Sequence, residues 1–272
     1  NYGWEFTVSS ENIKNENFTW NTNFNISFNK NKITSLKYME NIDKAGIEGM
    51  GKLVLLTTGQ AVGTFFGYKV EGVDPATGNI IYADVNGNGI KNIGPNGEVF
   101  DTGDRTFIGD PNPDYIFGFS NNFTYKNWYL DTLITGSIGN EIYNASRFEL
   151  ELMNDFKNQS TAVLDRWTTV GQVTNVPRAN SLSAMVISDR FVEDGSYVKL
   201  KSVTLGYNFK NPFKGVSKLN VYATGQNLYT ITDYSGFDPE VNAFASSNGI
   251  SGIDYGTYPQ VRTIVLGLKA NF

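Results

Sequence analysis

The chain contains no cysteine and no histidine among its 272 residues. The absence of cysteine excludes a disulfide scaffold, a thiolate metal site and a cysteine nucleophile. The absence of histidine removes the commonest general base, the usual Ser-His-Asp triad and most zinc sites. The net charge of −5 argues against a nucleic-acid partner.

Long apolar runs are also lacking. The longest, such as Leu53–Leu56, are far shorter than the roughly 18 residues that a membrane-spanning helix needs. This observation excludes helical spans only, because the strands of a membrane barrel are short and alternate in polarity. Aromatic residues make up 14% of the chain within a hydrophobic total of 40%, which is a high share.

In place of long apolar runs, the sequence contains segments in which apolar and polar residues alternate strictly. From Phe18 to Phe28, aromatic and aliphatic side chains alternate with Asn, Thr and Ser, so a strand there has one apolar and one polar face. Phe24, Leu266 and Leu268 are predicted to face lipid, and Asn21, Asn23 and Asn25 to face a lumen. We predict seven membrane strands, with a bulge near Lys201 in the fifth: 4–9, 18–28, 115–125, 128–138, 197–209, 219–231 and 264–272.

The connections between these strands alternate between short and long. Short connections are predicted at 11–17, 126–127 and 210–218, and long ones at 29–114, 140–196 and 232–260. Outer-membrane barrels have short periplasmic turns and long extracellular loops. The pattern holds only if the strand-like stretch Val62–Val70 does not cross the membrane, so we place it as a hairpin in the first loop. The second loop shows helical spacing in its middle, at Phe148, Leu152 and Phe156 and then at Val163, Leu164 and Trp167.

One motif suggests a metal ion. Asp84, Asn86 and Asn88 are followed by Gly89, as at the first positions of an EF-hand calcium loop, with Asp101 or Asp104 completing the shell. Two interpretations stay open: a weak extracellular Ca²⁺ site, or an Asn-Gly turn that binds nothing. No other cofactor is predicted.

Two pairs of carboxylates could in principle serve glycoside hydrolysis, Asp238 with Glu240 and Asp110 with Asp114. Both pairs flank prolines and are better interpreted as turn residues, so no catalytic residue is predicted. The third long loop carries aromatic residues that could stack on a sugar, pack against a partner or pack within the loop: Tyr234, Phe237, Phe244, Tyr255 and Tyr258.

An ordered set of short motifs resembles the SusC/RagA-like TonB-dependent outer-membrane transporters of Bacteroidota. The run 104–115 is similar to the family pattern D-R-T-x-I-G-x-P-x-P-x-[FY]. Further similarities follow in order along nearly the whole chain: the Y-K-N turn at 125–127, L-D-R-W-T at 164–168 with Pro177-Arg178, E-D-G-S-Y-V-K-L-K at 193–201, L-G-Y at 205–207, G-Q-N-L at 225–228, D-P-E at 238–240 and Y-P-Q at 258–260. Lys199 stands where the family more often has Arg.

The resemblance implies an all-β fold: the C-terminal part of an antiparallel transmembrane barrel of about 22 strands that is filled by an N-terminal plug. Residues 1–272 would supply about seven strands, and the plug and the N-terminal strands would be absent from this sequence. The implied function is nutrient import of an oligosaccharide or a peptide, not enzymatic. The implied partners are a SusD-like surface lipoprotein as lid, TonB through the absent N-terminal region, outer-membrane lipid and the barrel-assembly machinery.

Gly267 and Phe272 resemble the terminal signal by which barrel proteins are inserted into the outer membrane. Phe272 would lie at the periplasmic interface, where aromatic girdles occur. Two other functions stay open at this point: a SusC-like scaffold subunit that no longer transports, and a secreted β-rich binding module with water on both faces. Dependence on detergent would separate the last from a membrane wall.

Overall fold

The computed structural model describes residues 1–37, 41–47, 51–89, 102–154, 156–181, 186–244 and 249–272, with the backbone alone for 41–47 and 51. The strands are β1 (Tyr2–Lys14), β2 (Phe18–Lys30), β3 (Asn41–Ile47), β4 (Gly51–Thr57), β5 (Phe65–Gly67), β6 (Val70–Val73), β7 (Ile80–Tyr82), β8 (Thr106–Gly109), β9 (Tyr115–Tyr125), β10 (Trp128–Ile138), β11 (Glu141–Asn144), β12 (Val192–Asp194), β13 (Tyr197–Phe213), β14 (Val216–Thr232), β15 (Ile253–Asp254) and β16 (Thr263–Asn271). Helix α1 covers Ala145–Glu151, and short 3-10 helices lie at Thr102–Asp104, Thr161–Asp165 and Asp189–Phe191.

The predicted strands form a single antiparallel sheet of seven strands in the order β1-β2-β9-β10-β13-β14-β16. Strands β9 and β10 have the predicted bounds, whereas β1, β13 and β14 are longer than the alternation indicated. The bulge is confirmed, because the register of β13 against both neighbours shifts between Leu200 and Ser202. Each predicted short turn lies at one end of this sheet and each long loop at the other.

The register separates the two faces of this sheet as predicted. One row across six strands runs Trp20, Phe123, Leu130, Leu205, Ala223 and Leu266. The row beside it runs Asn21, Asn122, Asp131, Thr204, Thr224 and Val265. We call the side of the sheet that carries the first row the apolar face; it also holds Phe24 and Leu268 as well as Leu266. We call the side that carries the second row the polar face; it holds Asn21, Asn23 and Asn25.

The apolar face leaves large side chains uncovered. Trp4 is 71% exposed, Leu266 81% and Leu268 68%. Soluble proteins rarely expose contiguous apolar patches of this kind. None of the described helices is long and apolar enough to cross a membrane.

The three long loops fold together into one compact cap at one end of the sheet. Its hydrophobic core draws from all three loops: Leu53, Val54, Phe65, Tyr68, Ile80 and Tyr82 from the first, Tyr143, Ala145, Phe148, Leu152, Ile187 and Phe191 from the second, and Ile253 from the third. Small sheets tie the loops together, for example the parallel pairing of Tyr143 with Ile253 between β11 and β15. The three loops therefore stabilise one another through shared contacts. We call the seven-stranded sheet from which they extend the wall.

Two details of the cap differ from the expectation. The stretch Val62–Val70 lies off the seven-stranded sheet, as predicted, but it is not a hairpin, because β5 pairs with β4 and β8 while β6 pairs with β7. Of the residues at helical spacing in the second loop, Phe148 and Leu152 are buried at α1 and just after it, whereas Phe156 and Leu164 are exposed. Helix α1 ends at Glu151, and Val163 and Leu164 lie in the separate 3-10 helix Thr161–Asp165, in which Val163 is buried. The spacing therefore marks two short helical segments rather than one continuous helical face.

Candidate functional site

A cleft of about 710 Å³ opens between the second and third loops. Its volume lies in the range typical of pockets for small ligands. Two aromatic side chains on its rim are almost fully exposed, Phe237 at 90% and Tyr258 at 82%. The remaining lining residues are Asn144, Ser146, Arg147, Leu150, Glu151, Ser160, Ala162, Ser235, Gly236, Asp254, Gly256, Thr257 and Pro259.

One side of the cleft is held by Arg147, which bridges two carboxylates. Asn144 caps α1 by accepting the Arg147 N–H, and this cap begins the helix that carries the guanidinium. Arg147 Nε donates to Glu151 Oε1 at 2.8 Å, and Nη1 donates to Glu193 Oε1 at 2.9 Å. Arg190 adds a second contact to Glu151, from Nη2 to Oε2 at 3.3 Å.

Glu193 joins the second loop to the third. Its Oε2 accepts the Ser235 N–H at 2.9 Å, and its Oε1 accepts the Ser235 hydroxyl at 2.9 Å. Burial alone would raise the pKa of the Glu193 carboxyl, but the hydrogen bonds from Arg147 and Ser235 outweigh it and hold that pKa below its ordinary value. Glu193 therefore stays ionised and links Arg147 of the second loop to Ser235 of the third.

The floor of the cleft is an aspartate held by a tyrosine. Tyr234 is buried and its hydroxyl donates to Asp254 Oδ2 at 2.7 Å, while the Thr257 N–H donates to Oδ1 at 3.2 Å. Burial, followed by the neighbouring Asp254 carboxylate, raises the pKa of Tyr234 above its ordinary value. Tyr234 thus remains a neutral donor that positions Asp254 rather than a titrating group.

The predicted loop aromatics divide into two kinds. Phe237 and Tyr258 meet at the cleft, whereas Tyr234 is buried and Phe244 packs against the core of the cap. Tyr255 is 42% exposed and does not line the cleft. The composition of the loop identified its aromatic residues, but only contacts with the second loop distinguish the two that are presented to a ligand.

A second charged cluster anchors the third loop to the wall. Lys199 is 1% exposed, and its Nζ donates to Asp238 Oδ1 at 3.0 Å and to Glu240 Oε2 at 2.6 Å. Lys201 Nζ contacts both oxygens of Glu240, and the Tyr197 hydroxyl donates to its Oε1. Burial would raise the pKa of Glu240, but the two lysines outweigh it and lower that pKa.

The predicted carboxylate pairs have structural partners. The Glu240 N–H donates to Asp238 Oδ1, so Asp238 also holds its own turn, as the flanking proline indicated. Asp110 accepts the Asn112 N–H, and Asp114 pairs with Lys30 at 2.5 Å. The sequence did not identify Lys199 and Lys201 as partners of Asp238 and Glu240, because the two pairs lie about forty positions apart along the chain.

The Asp84 motif forms a turn closed by its own hydrogen bonds. The Asp84 carboxylate accepts the N–H groups of Gly87, Asn88 and Gly89 at 2.8 to 3.1 Å. Asp104 is fully buried and accepts the N–H groups of Val85 and Asn86. Among the described residues no group of three or more acidic side chains is arranged to hold a metal, and Asp101 lies outside the described residues. Calcium binding stays a prediction.

Of Gly267 and Phe272, the two residues of the predicted terminal signal, Gly267 makes a contact that the sequence did not predict. A Cβ added at Gly267 would overlap the Tyr222 ring, so this ring on β14 packs directly over the glycine of β16. The same arrangement occurs between β10 and β13, where a Cβ added at Gly206 would overlap the Tyr129 ring. Phe272 follows the end of β16 and is 93% exposed. The role of Gly267 and Phe272 in assembly stays a prediction.

Comparison with known proteins gives relatives along the whole chain. It is 38% identical to TonB-dependent receptor P3 of Formosa agariphila over 297 residues, covering 100% of this chain and 28% of that receptor. It is 31% identical to TonB-dependent receptor SusC of Bacteroides thetaiotaomicron, covering 100% of this chain and 26% of SusC. No family model matches the chain. The chain thus spans less than a third of the length of these relatives.

The fold has solved counterparts. The structure of the RagAB peptide transporter matches with a TM-score of 0.80 at 22% identity, covering 99% of this chain and 29% of that one. The RagAB peptide importer in its open-open state matches with a TM-score of 0.78 at 21% identity, covering 99% of this chain and 28% of that one. At this identity the likeness concerns the fold alone, an antiparallel barrel wall with capping loops. The ordered motifs, the seven-stranded wall and these relatives agree: along its whole length the chain matches a C-terminal portion of the transmembrane barrel of SusC/RagA-like TonB-dependent transporters.

Proposed function

We propose that this chain forms wall and loops of an outer-membrane importer that is driven by TonB and covered by a SusD-like surface lipoprotein. The long loops face the outside of the cell and the short turns face the periplasm. The drive comes from parts of the protein outside these residues. The chain itself performs no chemistry and acts by binding and guiding a nutrient.

The observation that carries this proposal is the cleft between the second and third loops. Phe237 and Tyr258 present uncovered aromatic surface at its rim. The charged groups beneath them are already paired: Arg147 with Glu151 and Glu193, and Asp254 with Tyr234. A cleft whose charged side chains are already paired and whose rim carries two exposed rings is suited to stack on a ligand without reorganising.

The nature of the nutrient is proposed only as far as an oligosaccharide or a peptide. Sugar rings and peptide side chains both offer apolar faces to aromatic rings, so Phe237 and Tyr258 suit either. A secreted module with water on both faces is disfavoured, because the apolar face of the wall would then leave Trp4, Leu266 and Leu268 in water.

Import measurements with cleft variants of the full-length protein test this proposal. Phe237→Ala with Tyr258→Ala should raise the KM for uptake by about tenfold, since each stacked ring contributes about 0.5–1.5 kcal/mol. The matched control is Tyr255→Ala, which removes an exposed ring of the same loop outside the cleft. Both variants should insert normally and still co-purify with the lipoprotein.

The comparison of uptake on purified oligosaccharides and on peptides identifies the nutrient class. Wild-type protein that takes up neither class, with insertion intact, would contradict import. Equal loss of uptake in the cleft variant and in Tyr255→Ala would be compatible with import. It would show, however, that the cleft is not a specific binding site for the nutrient.

A further inference from the structure

The floor of the cleft holds a buried carboxylate that has hydrogen bonds but no cationic partner. Asp254 is 4% exposed and lines the cleft. Its hydrogen bonds come from two neutral donors, the Tyr234 hydroxyl and the Thr257 N–H. None of the ion pairs formed by the described residues includes Asp254. Because desolvation of a charge is costly, a buried carboxylate is normally paired with a cation.

The two arginines at the cleft do not supply this cation. Arg147 pairs with Glu151 and Glu193, and Arg190 pairs with Glu151. These two cations and two carboxylates balance one another. Asp254 is a third carboxylate, so the charged groups that line the cleft or support its lining carry one net negative charge.

A second polar group of the cleft lining lacks a partner altogether. The Thr257 hydroxyl oxygen is buried and has no hydrogen-bond partner within the described part of the chain. Thr257 is also the residue whose N–H binds Asp254, so the hydroxyl and the carboxylate belong to the same end of the cleft. A hydroxyl can accept hydrogen bonds as well as donate one. A ligand group with several N–H donors would therefore satisfy both residues.

The rim and the walls of the cleft suit a cation that is attached to an apolar body. Phe237 and Tyr258 expose their rings at the rim, and the faces of aromatic rings attract ammonium ions. Leu150 and Pro259 also line the cleft and offer apolar contacts. An inorganic ion would leave these surfaces unused, whereas a neutral sugar would leave Asp254 without a counter-charge.

We propose that the cleft binds its ligand through a protonated amine, which pairs with Asp254 and lies against the aromatic rings of the rim. An ammonium group has three N–H donors, enough for the carboxylate of Asp254 and the hydroxyl of Thr257. The inference rests on the proposed function, since it takes the cleft as the site that binds the nutrient. It narrows that nutrient to a molecule that carries an amine. A peptide and an amino sugar both supply this group, and the experiment separates them.

Calorimetric titration of the purified full-length protein with matched probes tests the role of the amine. One pair of probes is an alanine-lysine-alanine tripeptide with blocked ends and the same peptide with its lysine acetylated. The other pair is a trisaccharide of glucosamine and its N-acetylated form, titrated in a mildly acidic buffer that keeps the amines protonated. The parent should bind at least one amine about tenfold more tightly than its acetylated partner, as expected for a charge-assisted hydrogen bond. The pair that shows this preference identifies the source of the amine.

Asp254→Asn keeps the size of the side chain and removes its charge, so the preference for the amine should disappear in this variant. The matched control is Asp233→Asn, which removes an exposed carboxylate of the same loop outside the cleft and should retain the preference. If Asp254→Asn does not insert, Phe237→Leu with Tyr258→Leu decides, because leucine is apolar but has no ring face. The preference should then fall roughly three- to tenfold.

Equal affinity for the amines and their acetylated partners, no binding of any probe, or a preference that survives Asp254→Asn would overturn the amine site. Uptake assays on the same protein keep this inference apart from the proposed function. A protein that imports nutrients without preferring amines refutes the amine site and leaves import intact. A protein that binds amines but imports nothing refutes import and leaves the amine site intact.

Discussion

At the scale of single residues, two glycines of the wall lie beneath tyrosine rings of the neighbouring strand. Tyr129 covers Gly206, and Tyr222 covers Gly267. The register aligns all four residues in one row across β10, β13, β14 and β16. A glycine inside a strand weakens it unless another group approaches closely, and here an aromatic ring fills the gap.

Gly267→Ala should lower the free energy of unfolding by about 1–3 kcal/mol, because the new methyl group displaces the Tyr222 ring. The measurement is the urea dependence of unfolding of the full-length protein in lipid vesicles. In a Tyr222→Ala background the same substitution should cost much less, which gives a coupling energy for the pair. An equal cost in both backgrounds would show that the ring is not the reason for glycine at this position.

At the scale of elements, the third loop is held to β13 by its own acidic turn. Lys199 is buried between Asp238 and Glu240, and removing one partner of a buried ion pair typically costs about 3–5 kcal/mol. Lys199→Met should therefore release the third loop from the wall.

Acid should weaken the same attachment. The pKa of Glu240 is lower in the folded protein than in the unfolded chain, so its contribution is complete above its ordinary pKa. That contribution is lost as the pH falls through the lowered value. The protection factors of residues 233–244, which are the intrinsic exchange rates divided by the observed rates at the same pH, should fall on acidification below about pH 4 in the parent.

The matched control for this pH dependence is Glu240→Gln, which cannot ionise. The protection factors of its third loop should be lower than those of the parent at neutral pH and should change less on acidification. A parent whose third loop is equally protected at pH 7 and pH 3 would contradict the proposed attachment.

The strands of the wall and those of the cap differ in how well the sequence predicts them. The strands of the wall can be predicted from the sequence, because alternation of apolar and polar residues over six or more positions has the period of a strand. The shift at Lys201 was visible because Leu200 falls out of phase with Val203 and Leu205. In the cap, strands such as β5 and β15 have only three and two residues, too few for a period.

Contacts between distant segments account for what the sequence did not predict. The cap is assembled by pairings such as Phe65 with Gly109 and Tyr143 with Ile253, which no local pattern indicates. The cleft depends on the same contacts, since Glu193 reaches Ser235 across more than forty residues. Phe237 and Tyr258 were identified as loop aromatics, but their meeting at one cleft required the fold.

At the scale of the whole molecule, the chain combines a wall with two unlike faces and a cap built from three loops. The apolar face has no covering layer among the described residues, and the polar face carries the row of Tyr129, Gly206, Tyr222 and Gly267. The cap places the cleft at the end of the wall opposite the short turns. This division agrees with a protein whose wall is solvated by lipid and whose loops meet the ligand.

The central claim is that the apolar face meets lipid, and one pair of substitutions tests it most directly. Phe24 packs against Phe117 and Phe119 on the apolar face, and the adjacent Asn23 binds Ser9 on the polar face. In full-length protein refolded into vesicles, Phe24→Arg should lower the free energy of unfolding by about 2–4 kcal/mol if the residue lies near the midplane. Asn23→Arg should lower it much less. Equal costs at the two neighbouring positions would contradict the membrane-wall account.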